Sequence, residues 1–352
     1  MHQIIIEDIE TLTSASLPYE KFYGKTVLIS GANGYVPAYF VHAFLGLNDK
    51  KQAGMKVIAL CRSEEKAKTR FEDYLGRTDF ELLIQDVCEP IEIDEDINIF
   101  IHAASPAGIK NRHDNPVNTF LSNVKGGENM LNLAIKKQCQ YFLFLSSVDV
   151  YGKMNSNDRL KESDSGYLDP LNVRNIYSCG KRAAESLCKA YQVKYNLPVF
   201  IVRPFQIMGP GPELHDGRLH IDFISQILDK NQIVLKGDGT AIRNFMYITD
   251  AIKAMFYVML KGNSGEAYNI VSEKGEMSVK NLAEVMAQNE AGTKAKVVFD
   301  YEHRNAIEVT SALSVVTGDS SKLKKLGWEC EYSVKEGSAR MMKYYGIEVV
   351  MI

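Results

Sequence analysis

Two apolar patterns alternate along the first two thirds of the chain. Short β-branched or aromatic runs lie at 26–30, 56–60, 80–84, 97–101, 141–145, 200–204 and 267–271. Such runs, largely apolar, suit strands covered on both faces. Between them lie stretches of helical period, among them one ending at Leu47 and others at 118–137, 176–195 and 247–260. Strands interspersed with helices in this way read as an α/β chain. Beyond Phe205 the pattern loosens. Residues 206–217 are rich in glycine and proline and read as a loop, 221–228 as a helix, and 233–235 as a short strand before the turn Gly237-Asp238-Gly239. The expected organisation is a leader at 1–23, with a helix at 5–12 broken near Pro18, and a large domain at 24–205 to which 246–275 returns. A smaller C-terminal α/β lobe is built from 206–245 and 276–352.

Composition narrows the function by exclusion. The 352 residues are 45% hydrophobic and 24% charged with a net charge of −3, an ordinary globular balance. Nothing in that charge argues for nucleic acid or an anionic membrane as a partner. The six cysteines are scattered without a C-x-x-C pair, as expected of reduced thiols in a cytoplasm. The N-terminus lacks the basic and apolar regions of a signal peptide, no apolar run is long enough to span a bilayer, and no repeat is visible. His102 has no second histidine nearby, so no metal site is expected.

Chemistry enters at the ends of the strands. The first strand runs into Gly31-Ala32-Asn33-Gly34-Tyr35-Val36-Pro37 and then a helix. Glycines at such a turn let backbone approach a pyrophosphate, and the helix N-terminus favours its charge. Pro37 stands where a third small residue is expected, a position in the first helical turn that proline tolerates. The second strand ends in Cys61-Arg62-Ser63, without the acid that usually bonds the ribose of NAD; arginine and a hydroxyl suit a 2′-phosphate, which tilts the expectation toward NADP over NAD. Asp86 and Val87 end the third strand, with Asp86 suited to the adenine amino group, and His102-Ala103-Ala104-Ser105 end the fourth. Further on, Tyr177 and Lys181 lie four apart on one helix and so share a face. An ammonium one turn from a phenol favours the phenolate and makes a proton shuttle of it. Alone such a pair is common by chance.

Taken together, the glycine turn at Gly31 and Gly34, Asp86-Val87, His102-Ala103-Ala104, Ser147 five residues before Gly152, Tyr177 with Lys181, and Arg203-Pro204-Phe205 make a chain that resembles an extended short-chain dehydrogenase/reductase. Arg243 to Ile248 and Lys322 to Trp328 extend the likeness. The resemblance implies a Rossmann-like α/β fold, a doubly wound parallel sheet binding NAD or NADP with a smaller C-terminal α/β substrate lobe, and a sugar on a nucleoside diphosphate as substrate. Within the family the chain looks most similar to UDP-glucuronate decarboxylases and to the nucleotide-sugar 4,6-dehydratases and 4-epimerases, through His102 to Ala107, Arg174 to Tyr177 and Asp216-Gly217-Arg218.

By this resemblance Gly31, Asn33, Gly34, Tyr35, Val36, Arg62, Asp86, Val87, His102, Ala103, Ala104 and Pro204 belong to the coenzyme site, together with Tyr177 and Lys181. Tyr177 would take the proton of the sugar C4 hydroxyl, Ser147 would hold the same oxygen, and Lys181 would hold the nicotinamide ribose. Ser105, Arg174, Gln206, Arg218 and Arg243 would meet the substrate. Gln206 stands where the family commonly has Asn. A dehydratase would carry an Asp-Glu pair at 148 and 149; here they are Val148, which moves no proton, and Asp149, which stands in for the glutamate of the decarboxylases. Decarboxylation is therefore favoured over net 4-keto reduction with NADPH, 4-epimerisation or 4,6-dehydration. A dinucleotide sensor on an enzyme scaffold is the rival of a different class, motivated by Pro37 and Val148. Helices 118–137 and 176–195 would pair across a two-fold axis in a homodimer.

Overall fold

The structure, a computed structural model, describes residues 1–106, 114–288, 295–301 and 315–347. Strands β1 (Thr26–Ser30), β2 (Lys56–Cys61), β3 (Phe80–Ile84), β4 (Ile99–His102), β5 (Tyr141–Leu145), β6 (Val199–Pro204) and β10 (Ala267–Ile270) form one seven-stranded sheet. Its order is β10-β6-β5-β4-β1-β2-β3, and every neighbouring pair is parallel. The sequence of β1 shows why both faces are covered. Val27 and Ile29 enter one core with Phe40, Phe44 and Phe256, while Leu28 enters the other with Phe100, Met130 and Cys188. The first face carries helices α2 (Tyr35–Lys51) and α7 (Ile248–Lys261); the second carries α4 (Pro116–Lys136) and α5 (Ile176–Tyr195). This is the doubly wound α/β architecture that the resemblance implied. The strand order reverses between β1 and β4, where a crevice opens at the carboxyl ends.

The lobe beyond β6 combines β7 (Gln206–Met208), β9 (Ile242–Tyr247), β11 (Glu276–Ser278) and β13 (Val315–Val316) around central β9. A parallel pair, β8 (Gln232–Leu235) with β12 (Lys296–Phe299), lies beside helices α6 (Leu219–Lys230), α8 (Val279–Ala287) and α9 (Val334–Tyr344). Ile221, Ile224, Leu282, Met286, Met341 and Met342 fill its core. One local expectation is corrected. Gln206 does not open a loop: β7 runs parallel to the end of β9, Gln206 opposite Phe245 and Met208 opposite Tyr247, because Ile207 and Met208 are buried against the lobe. The glycine-rich loop begins only at Gly209.

The N-terminal residues form a longer helix than 5–12, α1 (Gln3–Ser14), with Ile4, Ile5, Ile9 and Leu12 buried. It crosses α2 so closely that a Cβ on Gly46 would meet Ile9 Cγ2 at 2.5 Å. Its Asp8 is fully buried and accepts from Tyr39 (2.8 Å), Tyr247 (3.0 Å) and Arg340 of α9 (2.8 Å). Burial pushes the Asp8 carboxyl up to about 6, the nearby Arg340 guanidinium opposing it. The six cysteines are free thiols, and among the described residues no helix is long and apolar enough to cross a membrane.

Candidate active site

A cavity of about 1290 Å³ runs from the β1–α2 turn, past the end of β5, into the C-terminal lobe. Backbone makes its first end. Gly31, Gly34, Tyr35, Val36 and Ala103 line it. Gly31 has φ +66°, and a Cβ there would stand 2.7 Å from the Ala104 Cα, so the β1 and β4 ends meet at a distance only glycine permits. Gly34 caps α2 with no side-chain bond and no acid in the first turn, which leaves a seventeen-residue helix with an open N-terminus facing the cavity. Pro37 is the third residue of α2 and is accommodated there. A bare turn, an uncapped helix end and a cavity beside them fit a dinucleotide pyrophosphate.

The end of β4 is fixed by Ser30, a residue outside every motif of the chain. Ser30 Oγ accepts from the N–H groups of Ala103 (3.2 Å) and Ala104 (3.3 Å) and lies 2.8 Å from His102 Nδ1. With both amides donating to it, the serine gives its own proton to His102, whose imidazole is buried and held neutral, its pKa lowered to about 3 by burial and then by the Lys181 charge. His102 is thus a packed strand-end residue. The signal available in the sequence was only a serine just before the first glycine.

Side chains make the middle of the cavity. Ser147, Val148, Asp149, Tyr177 and Lys181 all line it. Ser147 lies two residues past β5 and its hydroxyl accepts from the Asp149 N–H at 3.2 Å, opening a 3-10 turn, Val148–Tyr151. Asp149 is exposed to the cavity, whereas Val148 is only 9% exposed. Lys181 is 2% exposed, donates to the Leu145 carbonyl at 2.5 Å, and sits 5.8 Å from the centre of the Tyr177 ring and 4.8 Å from that of Phe144. The helical spacing therefore does bring phenol and ammonium to one face, pointed at the strand end. Beyond them, Ser105, Pro204, Gln206, Arg218 and Arg243 line the cavity too.

With this geometry in hand, the model of the NAD dependent epimerase/dehydratase family matches residues 27–271. The chain belongs to that family. UDP-glucuronic acid decarboxylase 3 of Arabidopsis thaliana is 31% identical over 312 residues, covering 88% of this chain and 86% of that one. UDP-glucuronic acid decarboxylase 1 of Xenopus tropicalis is 30% identical over 350 residues, covering 98% and 78% respectively. An epimerase of Methanothermobacter thermautotrophicus shares the fold, with a TM-score of 0.78 at 19% identity over 98% of this chain and 96% of that one.

The other residues expected from the epimerase/dehydratase likeness are spread more widely. Asp86 turns one oxygen back to the Cys88 N–H (2.9 Å), and Val87 packs against Gly126 of α4. Arg62 is exposed, and the Ser63 hydroxyl caps the following helix α3 (Glu64–Arg70) by accepting from Lys66 N at 3.4 Å. Cys61 is buried, its thiol pushed up to about 11 by desolvation, with the amides of Asn33 and Ala32 turned toward it. Asn33, Arg62, Asp86, Val87, His102 and Ala104 stand around the coenzyme end without lining the cavity itself. Arg174, in a 3-10 turn at Val173–Asn175, is exposed and also not among the lining residues. Arg218 is ion-paired with Asp216 and lies 5.2 Å above the Tyr35 ring, joining the lobe loop to the glycine turn. Arg243 is half-buried, its pKa lowered by burial, and donates to its neighbouring carbonyl at Ile242 (2.7 Å). Arg203 faces away into an ion pair with Glu185.

Proposed function

We propose that this protein oxidises and then re-reduces C4 of a nucleotide-linked sugar, and that its reaction is decarboxylation of UDP-glucuronate. Gly31, Gly34, Tyr35 and Val36 would hold the coenzyme pyrophosphate, and Lys181 the nicotinamide ribose. Bound there, the coenzyme supplies the acceptor and later the donor of one hydride. Tyr177 takes the proton from the C4 hydroxyl, and Ser147 bonds the same oxygen and fixes its place. With C4 a ketone, the C5 carboxylate is β to it; the bond to that carboxylate breaks, CO₂ leaves, and the electron pair passes to the C4 oxygen as an enolate. Asp149, taking a proton from solvent, passes it to C5, and Tyr177 returns one to the C4 oxygen as the hydride comes back. Arg243 neutralises the substrate phosphates.

The observation that carries this reading is the pair at 148 and 149. An apolar residue stands where 6-deoxysugar dehydration needs an acid, while one carboxylate is kept facing the cavity. Relatives about 30% identical that are decarboxylases support it. A panel of UDP-, dTDP-, GDP- and CDP-sugars tests it: CO₂ with a UDP-pentose is expected, and no turnover on any member would overturn it. The second reading, net reduction of a 4-keto sugar by NADPH, rests on β2 ending in Cys61, Arg62 and Ser63 without a carboxylate. The same observation favours NADP(H) as coenzyme, and side-by-side titration with NAD(H) decides it. A homodimer through α4 and α5 is supported by apolar residues left open on that flank, Val117 and Val193 each 70% exposed. Light scattering is expected to give twice the chain mass; a monomer at micromolar concentration contradicts it.

A further inference from the structure

Three successive turns of α5 take hold of the end of β5. Tyr177, Lys181 and Glu185 follow at intervals of four and share a face. Lys181 Nζ donates to the Leu145 carbonyl at 2.5 Å. One residue along, Ser146 Oγ donates to Glu185 Oε1 at 2.5 Å. One further, Ser147 lines the cavity with Tyr177. Three consecutive residues from the end of the strand thus face one stripe of the helix, two of them bonded to it and the third lining the cavity beside Tyr177. Glu185 does not swing freely in this role. Arg203 of β6 grips its carboxylate with two bonds, Nε at 2.9 Å and Nη2 at 2.7 Å, and both side chains are only 13% exposed. Arg203 is itself fixed by a bond to the Glu162 carbonyl (2.9 Å) and lies 4.9 Å over the Tyr151 ring. A bidentate pair of this kind has one geometry and transmits it.

We propose that Glu185, clamped by Arg203, is a positioning residue that sets the register of α5 on β5 through Ser146 and so aligns Tyr177 with Ser147. The proposal rests on the reading of Tyr177 and Ser147 as the acid–base pair. It assigns Ser146 a second part as well: its proton is committed to Glu185, so its remaining lone pairs face the cavity, where the hydroxyl can only accept.

Ser146→Ala is the informative variant, since it removes the rung and leaves the buried ion pair whole; Glu185→Ala would strand Arg203 and simply unfold part of the chain. The expected result is a fall in kcat of about 30-fold with KM for UDP-glucuronate within about threefold, the pattern of lost alignment and not of lost binding. Ser146→Thr, which restores the hydroxyl, is expected to recover most of the rate. A second readout needs no substrate: the tyrosinate absorbance of Tyr177, taken as the difference from Tyr177→Phe, is expected to titrate about one pH unit higher in Ser146→Ala as the phenolate loses Ser147. A kcat and a Tyr177 titration both unchanged by Ser146→Ala overturn the proposal. If the parent protein turns over no nucleotide sugar yet the titration moves, the activity reading fails and the positioning role stands.

Discussion

The two ends of the cavity are built from different material. At the β1–α2 turn the cavity wall is largely backbone: Gly31, where a Cβ would stand 2.7 Å from the Ala104 Cα, and an uncapped helix end. At the end of β5 they are side chains, each needing its own atom: Ser147, Asp149, Tyr177, Lys181. The first kind of site absorbs substitution. Pro37 enters the helix in place of a small residue, and Cys61 ends β2 in place of an acid, yet the turn keeps its shape. On the proposed mechanism the second kind does not, because each of these side chains has a part that no neighbour can take over. Val148 therefore says more about the reaction than Pro37 says about the coenzyme.

That contrast can be broken by mutation. The largest effect is expected at the side-chain end: Tyr177→Phe should lower turnover about 10³-fold while leaving coenzyme affinity within a few fold, measured by steady-state rates and titration. Next comes a site outside both ends. Folded Asp8 titrates near 6 in place of 3.8, so the folded chain keeps this proton to higher pH than the unfolded one. Its contribution is greatest below about pH 4 and declines as pH rises toward 6, by about 3 kcal/mol in all. The stability difference between the protein and Asp8→Asn, from urea unfolding at each pH, should fall across that window; a flat difference would show that the carboxylate is fully compensated by Arg340. At the backbone end, Gly31→Ala should cost about 2 kcal/mol, through positive φ and the contact with Ala104, and appear as weaker coenzyme binding with kcat at saturation little changed. Smallest, Asp149→Asn should slow protonation of C5, and with it formation of the UDP-pentose, about tenfold while leaving the oxidation of C4 and the loss of CO₂ intact, seen as reduced coenzyme building up at 340 nm.

Much of this was legible in the sequence because it is local. Strands 26–30, 80–84 and 141–145 and the helix 176–195 coincide with β1, β3, β5 and α5, each announced by an uninterrupted apolar run or a 3.6-residue period. The spacing of Tyr177 and Lys181 needed nothing beyond one helix. What stayed hidden depends on partners far along the chain. β7 is three residues long and becomes a strand only because β9, some forty residues later, lies beside it. The burial of Asp8 requires Arg340, 332 residues away. Glu185 reads as one more polar helix residue until Ser146 and Arg203 arrive from two different strands. Arg174 shows the reverse: a motif neighbour of Tyr177 in sequence, it is carried to the exposed surface by the 3-10 turn that precedes α5.

The account turns on a ketone made transiently at C4 by Tyr177 and a proton returned to C5 after CO₂ departs. The most direct measurement is mass spectrometry of the products formed from UDP-glucuronate in D₂O with catalytic coenzyme. A UDP-pentose carrying one solvent deuterium at C5, with an equal amount of CO₂, is the expected result. Unchanged UDP-glucuronate, or an isobaric UDP-hexuronate with no CO₂, would contradict it.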